Sequence, residues 1–443
     1  MHSADLLITN GTVLTMDDGG TVYPSGAVAV DGARITAVGP ADRFRDRRAV
    51  RTLDAGGGLI LPGLINTHTH AAMALFRGLA DDLPLMAWLN DHIFPAEAKL
   101  DAPMVAAGTR LACAEMILSG TTCFCDMYLF TAAVARAARD CGVRAVVGEV
   151  LYDFPSPSYG PLEQGFQYTA QLLAQWAGDP LIRIAVEPHS PYLCAPELLQ
   201  RAADMAAAHD APLIVHLSET RSEVEAIQAR YGRTPVGHLA ALGVLTPNLV
   251  ACHAVVLSPE DIDLLRRRGV KVSHNPESNM KLASGVAPVP DLLAAGVCVG
   301  LGTDGCASNN SLDLFGEMDT AAKLHKVQRL DPTVMPAATV LRMATREAAR
   351  VLGMENRIGS LEPGKLADLI VVDTHKPHLT PLYDPVSHLV YAARGSDVRH
   401  SIINGRVVME DRRLLTLDVE QVLADARQKA EVIRPGNAPG PSA

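Results

Sequence analysis

No C-x-x-C pair occurs in this chain, and its eight cysteines are scattered. A disulfide framework or paired redox thiols are therefore not expected, and the composition reads as reducing, with a cytoplasmic location. Cys123 and Cys125 alternate on an apparent strand and read as core thiols. No uninterrupted apolar run approaches the ~20 residues that span a bilayer, so no membrane-embedded segment is expected. The first apolar stretch contains Asp5 and has no basic lead-in, so no signal peptide is expected either. Positive charge is in short supply, with a net charge of -10. Neither nucleic acid nor an anionic membrane is then an expected partner. The one basic run, from Arg43 to Arg51, is short and reads as a solvated connection. Lysine is missing from the whole stretch between Lys99 and Lys271.

What the chain does have is length, apolar content and histidine at particular places. Its 443 residues fit a barrel of about 250 residues plus a further domain. The 48% apolar content is enough to fill a sizeable core. Residues 1–61 read as short strands punctuated by the turn dipeptides Asn10-Gly11, Gly19-Gly20 and Asp31-Gly32. From 62 to 370 short apolar runs alternate with Ala/Leu-rich helical stretches. The pattern predicts strands at 62–68, 121–127, 143–149, 182–188, 212–217, 248–253, 270–275 and 297–302. Helices are predicted at 103–118, 131–141, 196–209, 221–230, 259–268 and 312–325, among others.

Eight β-then-α units give a parallel sheet covered by helices, and eight close a barrel. An open doubly wound sheet is the competing arrangement. It would normally carry a Gly-rich phosphate loop after its first strand, whereas here that strand runs into His68-Thr69-His70. Past 358 the turn-rich β pattern returns, with strands at 367–372 and 401–408 and a second Asn-Gly turn at Asn404-Gly405. The expected fold is α/β: a (β/α)8 TIM-type barrel over 62–370, with a small β-sandwich domain built from both chain ends, 1–61 and 371–433. Residues 434–443 are rich in Pro, Gly and Ser and are expected to form a disordered tail. The sequence leaves the assembly open between a monomer and a homo-oligomer.

In such a barrel the chemistry sits at the C-terminal strand ends. His68 and His70, two residues apart on a strand, point to one face. Strand 4 is followed by Glu187-Pro188-His189, strand 5 ends in His216-Leu217-Ser218-Glu219, and strand 6 ends in Cys252-His253. Strand 7 gives His274, and strand 8 runs into Gly302-Thr303-Asp304-Gly305. Each residue has a bland alternative. His216, His253 and His274 can be satisfied core histidines, Asp304 a helix N-cap, and Glu219 an acid at a helix start. Jointly, so many of the 15 histidines at strand ends favour three imidazoles and one carboxylate converging on one divalent ion. N and O ligands without thiolate suit Zn²⁺, with Fe²⁺ and Mn²⁺ as alternatives. Such an ion lowers the pKa of the water it holds to roughly 7. Asp304 can accept that water's proton, His253 can hydrogen-bond it, and Glu219 can protonate a ring nitrogen of a heterocycle. That is the division of labour needed to deaminate an aminopurine by hydrolysis.

These segments resemble the amidohydrolase superfamily, and within it the 5-methylthioadenosine/S-adenosylhomocysteine deaminases. The resemblance is carried by 62–70, ending in His68-Thr69-His70, by Phe76-Arg77-Gly78, Asp82-Leu83-Pro84-Leu85, Trp88-Leu89 and Pro95-Ala96-Glu97. It continues through His216-Leu217-Ser218-Glu219-Thr220, Ser273-His274-Asn275-Pro276, Gly302-Thr303-Asp304-Gly305, Ser308-Asn309-Asn310 and 359–369. It implies that His68, His70, His216 and Asp304 are metal ligands, that Glu219, His253 and Asp304 are catalytic, and that Glu219 shuttles the proton to the purine. It further implies that His189 contacts the base, that Glu97 holds the ribose hydroxyls, and that Trp88 and Ser308 belong to the substrate pocket. Two-metal relatives bridge their ions with a carboxylated lysine from strand 4. The missing lysines rule that out here, point to one ion, and disfavour a hydantoinase-like amide hydrolase.

One departure concerns the substrate's tail. Relatives that favour S-adenosylhomocysteine carry arginines after strand 3, but here the stretch between Arg144 and Arg183 contains none. Leu85, Trp88, Leu151 and Phe154 could instead line a pocket for a methylthio group. The expected activity is hydrolytic deamination of 5-methylthioadenosine, adenosine or S-adenosylhomocysteine, with the first two preferred. The alternative is a deaminase or dechlorinase of another aromatic heterocycle: guanine, a triazine or aminodeoxyfutalosine. A non-enzymatic scaffold is disfavoured because the whole ligand set is present. The other zinc deaminase pattern, H-x-E with P-C-x-x-C, does not occur in a usable arrangement.

Overall fold

The structure, a computed structural model, describes residues 4–83 and 87–434. The chain begins with β1 (Ala4–Leu14), β2 (Val22–Asp31), β3 (Arg34–Pro40), β4 (Ala49–Asp54) and β5 (Leu59–Pro62). The barrel strands follow: β6 (Leu64–Thr69), β7 (Thr121–Tyr128), β8 (Arg144–Leu151), β9 (Ile182–Ile184) and β10 (Glu187–Pro188), then β11 (Leu213–Leu217), β12 (Leu249–His253), β13 (Lys271–His274) and β14 (Val299–Leu301). The chain closes with β15 (Leu369–Val372), β16 (Val398–Ile403), β17 (Arg406–Glu410) and β18 (Arg413–Leu414).

The barrel strands pair in parallel from β6 to β10 and from β11 to β14. Two seams join these runs. At one, the Val186 N–H donates to the Pro212 carbonyl at 2.9 Å and the Ile214 N–H to the Val186 carbonyl at 3.0 Å. At the other, the Asp304 N–H donates to the His68 carbonyl at 3.0 Å. The fourth barrel strand, expected as one piece over 182–188, is split into β9 and β10, both paired with β8. Both faces of β7 and β8 are buried, as a parallel sheet under helices requires.

Helices stand where period-3.6 patterning placed them, at Ala102–Leu118, Thr131–Cys141, Pro196–Ala208, Arg221–Tyr231, Pro259–Arg268 and Leu314–Arg329. Their starts are set by side chains that accept from the first turn: Asp101 from Met104 N, Thr220 from Glu223 N, and Ser258 from Asp261 N. Left-handed Gly142 and Gly269 stop two of them. Among the described residues no helix is long and apolar enough to cross a membrane.

Strands from both chain ends form one nine-stranded sheet, ordered β18-β17-β16-β15-β5-β1-β2-β3, with β4 beside β1. Ile8, Val28, Val30 and Ile35 from one end of this order share a core with Ile402 and Val407 from the other. The sheet therefore curls over its own interior. Asn404-Gly405 is the two-residue turn between β16 and β17, with φ of 52° and 78°. Asn10-Gly11 is not a turn. It lies inside β1 at a register shift against β2, where a Cβ on Gly11 would stand 2.8 Å from the Gly58 carbonyl oxygen. Helices Pro385–Tyr391 and Val419–Ile433, absent from the sequence reading, lie among the C-terminal strands and after them. The expected tail falls, beyond Arg434, outside the described residues.

A buried ion pair links sheet and barrel. Arg144, at the start of β8, gives Nε to Asp368 Oδ2 at 2.6 Å and Nη2 to Oδ1 at 3.0 Å. Asp368 Oδ1 also accepts from the Asn404 N–H at 2.7 Å. Both side chains are almost wholly buried. Removing one partner strands the other charge away from water, which costs about 3–5 kcal/mol. Asp368→Ala should lower the unfolding free energy by that amount in chemical denaturation. A loss below about 1 kcal/mol would show that the pair does not tie the two parts together.

Candidate active site

The closing seam of the barrel brings the sequence-predicted residues together. Asn66 Nδ2 donates to Thr303 Oγ1 at 2.7 Å, and the Thr303 N–H donates back to Asn66 Oδ1 at 3.1 Å. Thr69 Oγ1 donates to the Asp304 carbonyl at 2.9 Å. This buried polar lattice fixes the end of β6 against the residues after β14, and with it His68 and His70 against Asp304.

His68 Nε2 lies 3.3 Å from Asp304 Oδ1, and His70 Nε2 lies 3.1 Å from the same oxygen. The His216 ring centroid is 5.0 Å from that of His68 and 5.5 Å from that of His70. The ligand atoms of His68, His70 and His216 fall within 4.8 Å of one another, as do those of His68, His253 and Asp304. Backbone carbonyls orient two of the rings. His70 Nδ1 contacts the Met127 carbonyl, and His216 Nδ1 lies 2.9 Å from the His189 carbonyl. Each Nδ1 therefore carries a proton, and in the neutral ring the Nε2 that faces the cluster is left with its lone pair.

Asp304 is oriented just as firmly. Its Oδ2 accepts from Ser278 Oγ at 2.7 Å and from Ser308 Oγ at 2.6 Å, so Oδ1 is left for the histidines. His68 Nε2 and Asp304 Oδ1 are buried without a hydrogen-bond partner. Bare nitrogens and an anionic oxygen around one point fit a divalent cation of borderline softness, and the donor set holds no thiolate.

The backbone pays for this geometry. Ser218, His253, Ala254 and Asp304 all lie at positive φ, between 49° and 72°, at the ends of β11, β12 and β14. Left-handed non-glycine residues clustered at strand ends mark a constrained site.

Glu219 sits on the turn between β11 and Arg221–Tyr231, with Oε2 4.0 Å from His253 Nε2. Burial, partly offset by His253, holds its carboxyl above the ordinary value. His189 is beside the cluster, its ring centroid 4.6 Å from that of His216. Burial pushes its pKa down to about 3, so the ring is neutral. Glu97 is farther out, its pKa raised by burial to about 7.

A cavity opens onto the cluster. Trp88, Glu97, His189, Glu219 and Ser308 all line it, and its outer part is apolar, with Leu89, Phe94, Leu129, Tyr152 and Phe154. The Tyr152 and Phe154 rings stack, centroids 3.9 Å apart. Among the described residues no lysine or arginine lines this cavity.

One expectation changes, that Leu151 lines the pocket, and the open choice at His274 closes. Leu151 does not reach the cavity: it is fully buried and packs outward, where its Cδ2 would meet a Cβ on Gly165 at 2.9 Å. Tyr152, one residue on and on the opposite face, takes its place. Leu85 lies outside the described residues. His274 is not part of the cluster, because its Nε2 pairs with His325 Nε2 at 3.1 Å. Ser308 lines the cavity, but its hydroxyl is engaged by Asp304. The sequence reading missed Ser278, and it missed Asn279, whose Oδ1 lies 2.9 Å from His253 Nδ1. The signal for both was a short polar run, 277–279, directly after the β13 strand end.

Comparison with known proteins agrees with this geometry. Residues 59–408 match the model described as "Amidohydrolase family". The chain is 66% identical over 433 residues, 98% of its length and 99% of the relative's, to 5-methylthioadenosine/S-adenosylhomocysteine deaminase of Syntrophobacter fumaroxidans. It is 47% identical to 5'-deoxyadenosine deaminase of Methanosarcina acetivorans, covering 97% of this chain and 98% of that one. Among solved structures, an adenosine deaminase from Xanthomonas campestris with bound zinc superposes with a TM-score of 0.96 at 42% identity, covering 98% of this chain and 99% of that one. By sequence, by fold and by the cluster at its strand ends, the chain belongs to the amidohydrolase family of metal-dependent hydrolases.

Proposed function

We propose that the cavity is the active site of a hydrolytic deaminase acting on 6-aminopurine nucleosides that carry a small, uncharged 5′ substituent. The observation that carries this reading is the convergence of three imidazoles and an oriented carboxylate beside a buried glutamate, at one end of a cavity whose lining also includes apolar side chains. The names of the deaminase relatives support it.

In this reading His68, His70, His216 and Asp304 hold one divalent cation, and the donor chemistry favours Zn²⁺ over Fe²⁺ or Mn²⁺. When bound, the cation supplies a water acidic enough to attack at neutral pH. Asp304 would accept one proton of that water, and His253 would accept a hydrogen bond from it. Glu219, whose acid form burial favours, gives its proton to the purine ring nitrogen, which makes the adjacent amino-bearing carbon electrophilic. Water adds there, Asp304 passes its proton to the amino group, which leaves as ammonia, and the added hydroxyl gives its proton back to Glu219, so that the inosine analogue remains. His189, neutral, hydrogen-bonds the base. Glu97 accepts from the vicinal ribose hydroxyls. Trp88 and the Tyr152–Phe154 stack cover the 5′ end.

Four outcomes follow from these assignments. Removing metal with a chelator should abolish ammonia release from 5-methylthioadenosine, and added Zn²⁺ should restore it. His68→Ala should lose both bound metal and turnover, whereas an Asp304→Asn protein that still holds metal should remain inactive; full activity in either variant contradicts the ligand set. For substrate choice, a carboxylate-bearing tail would enter the cavity without a cationic partner. We therefore expect kcat/KM for 5-methylthioadenosine and adenosine to exceed that for S-adenosylhomocysteine by at least about tenfold, the cost of ~1.4 kcal/mol of unmatched charge. A lead for S-adenosylhomocysteine refutes it. For Glu97, the neutral acid below about pH 7 offers a diol fewer acceptors than the carboxylate above it. KM should therefore rise as pH falls through about 7, and this rise should vanish in Glu97→Gln.

A further inference from the structure

The short helix Pro276–Lys281, directly after β13, touches both sides of the cluster. Its Ser278 hydroxyl donates to Asp304 Oδ2 at 2.7 Å. Its Asn279 side chain, 1% exposed, places Oδ1 2.9 Å from His253 Nδ1. His253 itself has φ of 72° and is followed by Ala254 at 49°. That kink is locked by the Ala254 N–H on the Leu217 carbonyl at 3.0 Å and the Val256 N–H on the Ser218 carbonyl at 2.8 Å. The backbone therefore aims the ring. It does not decide which ring nitrogen carries the proton.

Two amides compete for that decision. Asn275 Oδ1 accepts from Ser273 Oγ at 3.1 Å, which fixes the Asn275 amide and leaves its Nδ2 at 3.3 Å from His253 Nδ1. Nδ1 thus lies between an acceptor at 2.9 Å and a donor at 3.3 Å, and it can satisfy one of them. The shorter contact is to the acceptor. We propose that Asn279 is a positioning residue that holds His253 as the Nδ1–H tautomer, turning the Nε2 lone pair into the site.

The consequence is chemical. His253 Nε2 lies 4.0 Å from Glu219 Oε2, and it belongs to the group in which the ligand atoms of His68, His253 and Asp304 fall within 4.8 Å. With a lone pair there, His253 can accept a hydrogen bond from the attacking water and add no positive edge to a cation site. The other tautomer would point an N–H at the same space, repel a cation and offer the water's oxygen a donor in place of an acceptor. Asn279 therefore acts through His253, and it sits behind the ring, away from the cavity.

The kinetic consequence rests on the deaminase reading, but the tautomer does not, and the test separates them. Protein labelled with ¹⁵N-histidine, free of metal and then loaded with Zn²⁺, should show the His253 Nδ1 resonance in the protonated range and Nε2 in the lone-pair range. The resonance is assigned by its loss in His253→Gln. In Asn279→Leu the Nε2–H tautomer should gain population. At full zinc occupancy Asn279→Leu should lose about 10–100-fold in kcat, the scale found for groups that orient site residues, with KM for 5-methylthioadenosine changed by about twofold or less. Asn279→Asp, which keeps an acceptor oxygen in place, should recover most of the lost kcat. An Nε2–H tautomer in the wild-type protein overturns the proposal, as does unchanged kcat in zinc-loaded Asn279→Leu. If Asn279→Leu does not fold, the wild-type spectrum alone decides. If the wild-type protein deaminates no purine nucleoside, the functional reading fails while the spectrum still tests the tautomer.

Discussion

Asp304 has its two carboxylate oxygens committed in opposite directions, and the site depends on that division. Ser278 and Ser308 occupy Oδ2, so Oδ1 is left toward His68 and His70. A buried carboxylate oxygen without a donor is expensive, as are bare imidazole nitrogens packed against one another. On the proposed reading, one cation would offset all of these costs together. Supporting bonds on the far side of three of the four candidate ligands make the arrangement selective: Met127 and His189 carbonyls behind His70 and His216, serines behind Asp304. Ligands held this way meet an ion without rearranging, so little of its binding energy is spent on ordering side chains.

The barrel converts distance along the chain into proximity. His68 and Asp304 are separated by nearly the whole barrel sequence, and they become neighbours because the last strand closes on the first. Asn66, Thr69 and Thr303 form that closure, with hydrogen bonds where a continuous apolar seam would also have packed. Polar pairs have strict geometry, so the seam fixes register as well as contact. Outside the barrel, Arg144 and Asp368 do a related job, tying the base of β8 to the sheet made by both chain ends.

Much of this was legible in the sequence. The eight barrel strands follow from apolar runs spaced by helical patterns, and strand-end polar residues pick out His68, His70, His216, Glu219, His253 and Asp304. These positions are legible because burial forces the strands to be apolar, so any imidazole or carboxylate at their ends is conspicuous. The residues that orient them were not legible. Ser278 and Asn279 sit in a helix too short to show a period, and a serine or asparagine after a strand usually reads as a cap. His274 was left open between a site residue and a structural histidine, and the sequence could not decide. It obeys the strand-end rule but faces His325 on the helix Leu314–Arg329, a partner that only the packing reveals. Asn10-Gly11 shows the same limit, since a turn and a bulge use the same left-handed chemistry.

The central claim is that four side chains far apart in sequence share one cation. A crystal structure of the zinc-loaded protein with anomalous data at the zinc edge tests it most directly. The account predicts one anomalous peak at about 2.0–2.2 Å from a nitrogen of each of His68, His70 and His216 and from an oxygen of Asp304. A peak elsewhere, or a fully loaded protein in which any of these four stands outside coordinating distance, would contradict it.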